Sequence, residues 1–492
     1  LATVPSLDAM VADALAPLDS LQLPELPPIP DVDADLAAQS AKLTADEAKL
    51  REKHGDHPML GLFALGHRLI ASAPRPADVA PDLSPLVTGL GNAHAALLAQ
   101  GISAAALGPL GKLLDKVKAL VAKIPKKAAP KGEFALRDLR GADFRGRNLR
   151  GAGFGRADLT GAAFQGADLT GADFRGANLT GADLSAAILV GADFSRATLA
   201  KARMTEVVAS GIVLQEADLA GADLSRADLR EAKAEQARLP KAKLPHARLA
   251  GADLRFAQLV GVDLSDADLS DAKLSLAVID VARADRANLQ RAVLDMAQLT
   301  KCRLHGAILH GVQGSMTSFQ GSDLTGADLR ECRLQKPDFM KAVLDRADLR
   351  GAALPQANFR DVRAIGLDGR DCDLGGAFAT GTANFAQARF CGARATRSTW
   401  MDVELGGADF SRSRFPNAYF QGSKGDDVDF HAAVLTGACF RQAQLRRPNF
   451  AGADLASADF NRARLDDANF RSANCYDVKF LGAEAVRSDF RD

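Results

Sequence analysis

The chain is 492 residues long, 47% apolar, and carries 61 basic against 61 acidic side chains, a formal net charge of zero. Such a balance argues against the basic surface of a nucleic-acid binder and against the acidic surface of a polyanion mimic. Six cysteines without a CxxC pair provide no disulfide framework and suit a reducing compartment.

Composition changes near residue 131: 14 of the 20 prolines precede Lys131, and 23 of the 24 phenylalanines follow it. The first region, 1–131, reads as helices separated by prolines. It begins at Leu1 without a methionine, a basic start or an apolar run. Upstream sequence is therefore expected to be missing, and the cytoplasm is the expected location. Leu23 to Pro30 is Pro-rich, an extended linker or brace, and Asp33 to Lys53 is polar and helix-prone. Met59 to Ala73 and Leu83 to Leu107 continue as helices, the latter weakened by Gly89, Gly91 and Gly101. Pro109 to Ile124 is the clearest: Leu110, Leu113, Leu114, Val117, Val121 and Ile124 form one apolar stripe, with Lys112, Lys116 and Lys123 off it. This helix, 109–124, is expected to cap whatever follows.

Two chemical features of the region have plainer explanations. Residues 83–111 contain no Asp, Glu, Lys or Arg and precede a basic amphipathic helix, the layout of a membrane-active segment. Asn92, His94 and Gln100 leave that stretch too weakly apolar to span a bilayer. The HxxH of His54 and His57 lacks a third ligand in spacing, so it reads as a polar helix end, and no metal or cofactor is expected.

From Phe134 onward the period is five: a small residue, a polar residue, Leu or Phe, then two corner residues. The Leu/Phe positions keep one register from Phe134 to Leu374 and a second from Phe385 to Phe490, 71 pentads of which 58 have Leu or Phe. A helix needs a period of 3.6 and a strand a period of two, so something must break the strand in every pentad. In Ala172-Asp173-Phe174-Arg175-Gly176 the Ala and Phe share one side of an extended segment and Asp173 takes the other. Arg175-Gly176 makes the corner, where glycine accepts a positive φ. A chain turning the same way every five residues closes into coils, a parallel β-solenoid with its Leu/Phe rows inside.

Runs such as Ala157-Asp158-Leu159-Thr160-Gly161 and Ala327-Asp328-Leu329-Arg330-Glu331 resemble the pentapeptide-repeat family. That resemblance implies a right-handed quadrilateral parallel β-helix over 132–492, with four pentads per coil and residues twenty apart stacked. Phe410, Phe430, Phe450, Phe470 and Phe490 have that spacing, as do Phe420, Phe440, Phe460 and Phe480, so two walls near the C-terminus are expected to be Phe stacks. At four pentads per coil the array makes about 18 coils, a rod on the order of 85 Å long.

Catalysis needs unlike groups converging in a cleft, whereas a solenoid presents like groups in rows, so no catalytic residue is assigned. The Asp rows are repeat elements, answered by arginines such as Arg226 and Arg230. His305 and His310 fall at corners and are expected to be solvated, while Cys302, Cys332 and Cys372 take the small inward site. Trp400 is expected in the core. The one basic concentration is the junction, where Lys112, Lys116, Lys123, Lys126, Lys127, Arg137, Arg140, Arg145, Arg147 and Arg150 offer a patch for an anionic partner or for the acidic first region. No aromatic residue interleaves to stack on bases, so nucleic acid is not the expected partner. The repeat loosens at 207–213, 313–317, 365–383 and 395–400, and the register shift in the third is expected to kink or bulge the wall.

The family resemblance also includes DNA-mimicking gyrase inhibitors, a role requiring an acidic surface that this solenoid, with 48 basic and 47 acidic residues in 132–492, lacks. A Pro- and Ala-rich helical stretch leading into a very long array is similar to bacterial proteins encoded with type VI secretion systems. The chain is thus expected to be a non-enzymatic binding scaffold or adaptor, exported or loaded at a secretion spike. An effector with membrane-active N-terminal helices is the alternative.

Overall fold

A computed structural model describes residues 134–491. The helices expected within 1–131, the cap at 109–124, His54 and His57, and the uncharged stretch 83–111 all lie outside the described residues.

Every pentad follows one local rule. In Ala172 to Gly176, Ala172 and Phe174 are fully buried, Asp173 faces outward, and Gly176 turns the chain with φ 65°. The Ala177 N–H donates back to the Phe174 carbonyl at 2.9 Å and closes the corner. The second corner residue is left-handed throughout, including non-glycine residues such as Arg156 (φ 57°) and Glu206 (φ 58°). Stacking fixes that strained geometry, because the same residue's N–H donates to the next coil: Arg156 to the Arg175 carbonyl at 2.9 Å, Gly176 to that of Ser195 at 2.9 Å.

The outward residue of each face pairs in parallel with the one twenty later, as in Asp138 with Asp158 and Asp158 with Asn178. Four pentads therefore complete a coil, and each wall is a ladder running along the rod. Because corners interrupt the chain so often, most pairings are single bridges. The regular strands among the described residues are β1 (Gln313–Ser315) paired with β2 (Arg333–Gln335), β3 (Phe378–Ala379) with β4 (Thr399–Trp400), and β5 (Lys424–Asp426) with β6 (Gln444–Arg446).

The register shift is absorbed differently from expectation. Pairing lengthens to twenty-one residues for Arg363 with Asn384, Asp368 with Arg389, Asp373 with Arg394 and Phe378 with Thr399, and returns to twenty at Asn384 with Glu404. The added residue sits in the corner at 380–382. There Asp361 Oδ1 accepts the Thr382 N–H at 2.9 Å and its hydroxyl at 3.1 Å. The wall pairing continues in parallel past it, so the bulge belongs to the corner and not to the wall.

The other irregular stretches also preserve the ladder. Val207, Ala209 and Ile212 stay buried. Thr317 takes a small inward site and satisfies its hydroxyl on the Leu294 carbonyl at 2.7 Å. Gly369 replaces a Leu because the Phe390 ring of the next coil fills its place: a Cβ at 369 would lie 2.8 Å from that ring. Trp400 is buried as expected, its Nε1–H donating to Ser398 Oγ at 2.9 Å, and Ser398 in turn to the Ala395 carbonyl at 2.7 Å.

The core is one continuous column of inward side chains. Near the C-terminus the expected Phe stacks form. Rings of Phe410, Phe430, Phe450, Phe470 and Phe490 stack at 4.6–5.1 Å, and those of Phe420, Phe440, Phe460 and Phe480 at 4.8–5.3 Å. The two rows occupy opposite walls and meet edge-on in the middle, as Phe430 and Phe440 do at 5.5 Å, a favoured aromatic arrangement.

Candidate functional site

The outward Asp of a pentad is positioned by its own corner. Asp173 Oδ1 accepts the Arg175 N–H at 3.0 Å and Nε–H at 2.9 Å, while Oδ2 takes the second guanidinium N–H at 2.6 Å. Where Thr or Ser holds that corner position, its hydroxyl replaces the guanidinium, as with Thr160 on Asp158 at 2.6 Å. The hydrogen bond from Arg175 lowers the Asp173 pKa, and that from Arg140 holds Asp138 down at about 2. These carboxylates are ionised turn braces with no capacity for acid-base work near neutrality. The spacing of Asp and Arg two apart is visible in the sequence, and the corner is what folds the two side chains into a clamp.

Five of the ten predicted basic residues can be placed. Arg140 and Arg145 clamp Asp138 and Asp143, each at 2.6 Å, and Arg150 reaches Asp168 at 3.4 Å. Arg147 lies over the Phe144 ring at 5.9 Å, and Arg137 is exposed. Arg137 and Arg147 both occupy the inward site that Ala fills in later coils. Lys112, Lys116, Lys123, Lys126 and Lys127 lie outside the described residues. Three of the five arginines thus bond to the solenoid itself.

Two further expectations change. Arg226 faces Glu206 on the coil before, at 3.9 Å, and Asp223 is held by Ser225; only Arg230 answers its neighbouring Asp228, at 2.6 Å. His305 keeps 44% of its side chain in solvent and is also bonded, with Nε2 at 2.6 Å from Asp323, and the Nδ1 of His310 is buried without a partner. Asp285 beside them is held through Oδ2 by Arg303 at 3.0 Å. Partners one coil away come from residues eighteen or twenty apart, a distance at which the linear sequence does not advertise contact.

The inward cysteines are inert. Burial pushes the Cys302 thiol up to about 11 and that of Cys332 to about 12, and it raises Cys372 further. All six cysteines are free thiols. Among the described residues no cluster of His, Cys, Asp and Glu could hold a metal ion, and no helix is long and apolar enough to cross a membrane. An open groove of about 450 Å³ runs along one wall, lined by Lys336, Pro337, Asp338, Gln356, Asn358, Gly376 and Phe378. It spans three coils and mixes charge, amide and aromatic surface.

Stacked five-residue turns around a continuous aliphatic and aromatic column define a β-solenoid protein. The pattern described as pentapeptide repeats (8 copies) matches residues 138–176, 177–211, 210–244, 247–278, 282–313, 322–361 and 342–382, and a second, the pentapeptide repeat region, matches 393–470. The chain belongs to the pentapeptide repeat family, whose members fold as right-handed β-helices and are in general structural or binding proteins. No curated protein matches the chain. Among solved structures it is similar to a pentapeptide repeat protein of the Arabidopsis thaliana thylakoid lumen at 35% identity, covering 24% of this chain and 77% of that one, TM-score 0.15. It is also similar to HetL of Nostoc sp. strain PCC 7120, a protein involved in heterocyst differentiation regulation, at 26% identity over 56% of this chain and 85% of that one, TM-score 0.12. QnrB1, a plasmid-mediated fluoroquinolone resistance protein, matches at 18% identity over 41% and 86%, TM-score 0.17.

Proposed function

We propose that the chain is a non-enzymatic scaffold that binds other proteins along its walls. The observation carrying this reading is the arrangement of outward groups: each coil presents one outward side chain per wall, in register with the next coil and held by backbone ladders and corner clamps, while the chemistry changes along the rod. Such a surface suits recognition by an extended partner and places no acid, base and nucleophile around a common point. At about 18 coils the rod offers on the order of 85 Å of rigid docking length.

Within this reading the leading context is an adaptor or cargo carrier of a bacterial type VI secretion spike, cytoplasmic until exported, on the strength of the Pro-rich stretch before the long array. The decisive experiment is affinity capture from the source organism with the full-length chain and with residues 132–492, read by mass spectrometry. Recovery of the same proteins with both places the binding on the solenoid. Recovery of none by either removes the scaffold reading, and absence of spike or effector proteins among those recovered removes the secretion context.

A further inference from the structure

Away from the two end coils, nine bulky apolar side chains are exposed among the described residues, and eight of them fall on one wall or its flanking corners. Four stand directly above one another at a single corner: Phe256, Leu276, Met296 and Met316, with 45%, 37%, 41% and 56% of their surface in solvent. Hydrogen bonds tie these rungs together, Phe256 N–H to the Ser275 carbonyl at 3.0 Å, Leu276 to Asp295 at 2.8 Å and Met296 to Ser315 at 2.7 Å. Val260 and Val281 stand at the corner across the same wall, and Phe378 and Tyr419 lie farther along the wall itself.

All four rungs occupy the left-handed position where glycine is the unstrained choice, with φ of 60°, 61°, 53° and 52°, and Val281, β-branched, is there too at 55°. Corners throughout the rod accept non-glycine residues at this φ, and those residues are chiefly polar; here four in a row are apolar and exposed, a stack that solubility disfavours and that marks a binding face.

We propose that this wall docks an amphipathic helix of a partner protein, its apolar stripe flanked by acidic residues; the proposal rests on the scaffold reading above. Spacing selects the helix. Successive rungs are about 4.8 Å apart, close to the 5.4 Å pitch of a helix lying along the rod, whereas same-side residues of a strand recur at about 6.7 Å. The wall between the two corners supplies the face along which the helix lies, and the open groove at Lys336, Gln356 and Phe378 continues it along the rod.

Charge selects its flanks. Lys273 stands beside the ladder, Lys301 at the far corner and Lys336 on the next rung above Met316, all exposed and none in an ion pair with a described residue. Of the carboxylates nearby, Asp253 is paired with Arg255 at 2.8 Å, while Asp280 and Asp295 keep their charge and turn it onto the wall's own donors, the Thr300 hydroxyl at 2.6 Å and the Ser315 N–H at 2.9 Å. A helix bearing Glu or Asp beside its apolar stripe satisfies the lysines. A second copy would set the same lysines against each other, and the chain's own stripe at 110–124 is flanked by Lys112, Lys116 and Lys123.

The test uses the full chain and two fluorescent helical probes of about 18 residues, one with leucines flanked by glutamates and one with lysines in place of the glutamates. The glutamate probe should bind saturably, bind at least about tenfold more tightly than the lysine probe, and lose at least about tenfold in affinity for F256G/L276G/M296G/M316G. Glycine suits the φ at all four sites, so that variant should melt no lower than the parent. K273E/K301E/K336E should reverse the probe preference. Equal binding to the glycine variant, equal binding of both probes, or no saturable binding overturns the proposal. So does ladder-dependent self-association in sedimentation, which would make a second copy the occupant. Proteins recovered by affinity capture and retained by the glycine variant would leave the scaffold reading standing while removing this wall as its site.

Discussion

Between Leu199 and Leu309 the core is built of Leu and Ala with an occasional Val, Ile, Met or Cys, and the only phenylalanine in that stretch, Phe256, faces solvent. From Phe390 to Phe490 two rows of rings fill the column from opposite walls. The backbone does not register the difference: Leu249 donates to Asp268 at 2.6 Å in the first stretch and Phe420 to Cys439 at 2.6 Å in the second. Coil pitch is thus fixed by interstrand hydrogen bonds and corner geometry, and the interior has only to be filled. The other two walls of the aromatic region keep large apolar residues, among them Leu405, Phe415, Leu435 and Leu455, and the small inward site there takes Ser as well as Ala. Ser413 and Ser423 are fully buried there, each bonded to the carbonyl three residues before it, at 2.6 and 2.7 Å.

The comparison breaks most sharply on truncation. Phe430→Ala removes a ring that stacks on two neighbours and meets two more edge-on, and should destabilise by about 3–5 kcal/mol. Leu254→Ala in the aliphatic stretch should cost about 2–4 kcal/mol. Because each coil contacts only its neighbours, the damage should remain local, visible as faster amide exchange within a coil or two of the mutated site. Equal losses at the two sites would mean that the ring rows add nothing beyond their volume. Trp400, the only tryptophan, is buried among Phe390, Phe410 and Phe420, so its emission reports the aromatic region by itself.

A smaller effect tests whether the repeat or the packing decides. Gly369→Leu restores the consensus residue but drives it into the Phe390 ring, and should cost about 1–3 kcal/mol. Phe390→Leu in the same chain should recover most of that loss, a coupling that a double-mutant cycle measures. If the single substitution stabilises, the consensus outweighs the neighbouring ring.

Where the sequence was legible and where it was not follows the same division. The period of five, the inward Phe spacing of twenty, the buried cysteines and Trp400 could all be read, because each depends on residues near one another in sequence or on a strict repeat. The corner at 380–382 was placed in the wall because the shift in register says that a residue was added and not which element absorbs it; Asp361, twenty-one residues back, settles that. The partner of Arg226 and the bonding of His305 also lie one coil away. The ladder of Phe256, Leu276, Met296 and Met316 escaped for a related reason. Each is a single oddity at a glycine position, and only the stacking turns four oddities into a surface.

Charge offers a gentler way to sharpen the contrast. Asp138 and Asp173 have pKa values lowered by Arg140 and Arg175, so they stabilise the fold wherever they are ionised. Depressed values in the folded state mean that this contribution is complete above the unfolded value of about 3.9 and disappears as the pH falls through the folded ones. Melting temperature should be flat from pH 8 to 5 and fall between about pH 4 and 2. Asp173→Asn should lower the neutral-pH value and reduce the acid-dependent drop. A fall beginning between pH 7 and 5 would show that the clamped carboxylates are not what sets the acid dependence.

The mildest substitution addresses the corners that both regions share. Val281 holds φ 55° with a β-branched side chain more than half exposed, so Val281→Gly relieves strain at the cost of a more flexible unfolded chain. Relief of a left-handed β-branched residue is the larger quantity, and the melting temperature should stay level or rise by a degree or two, a gain of under about 1 kcal/mol. Glycine is already present one coil below at Gly261, in the same corner and with φ 67°, so the backbone has nothing to rearrange. A clear loss of stability would show that the valine side chain packs on its neighbours, and that part of the exposed wall is structural.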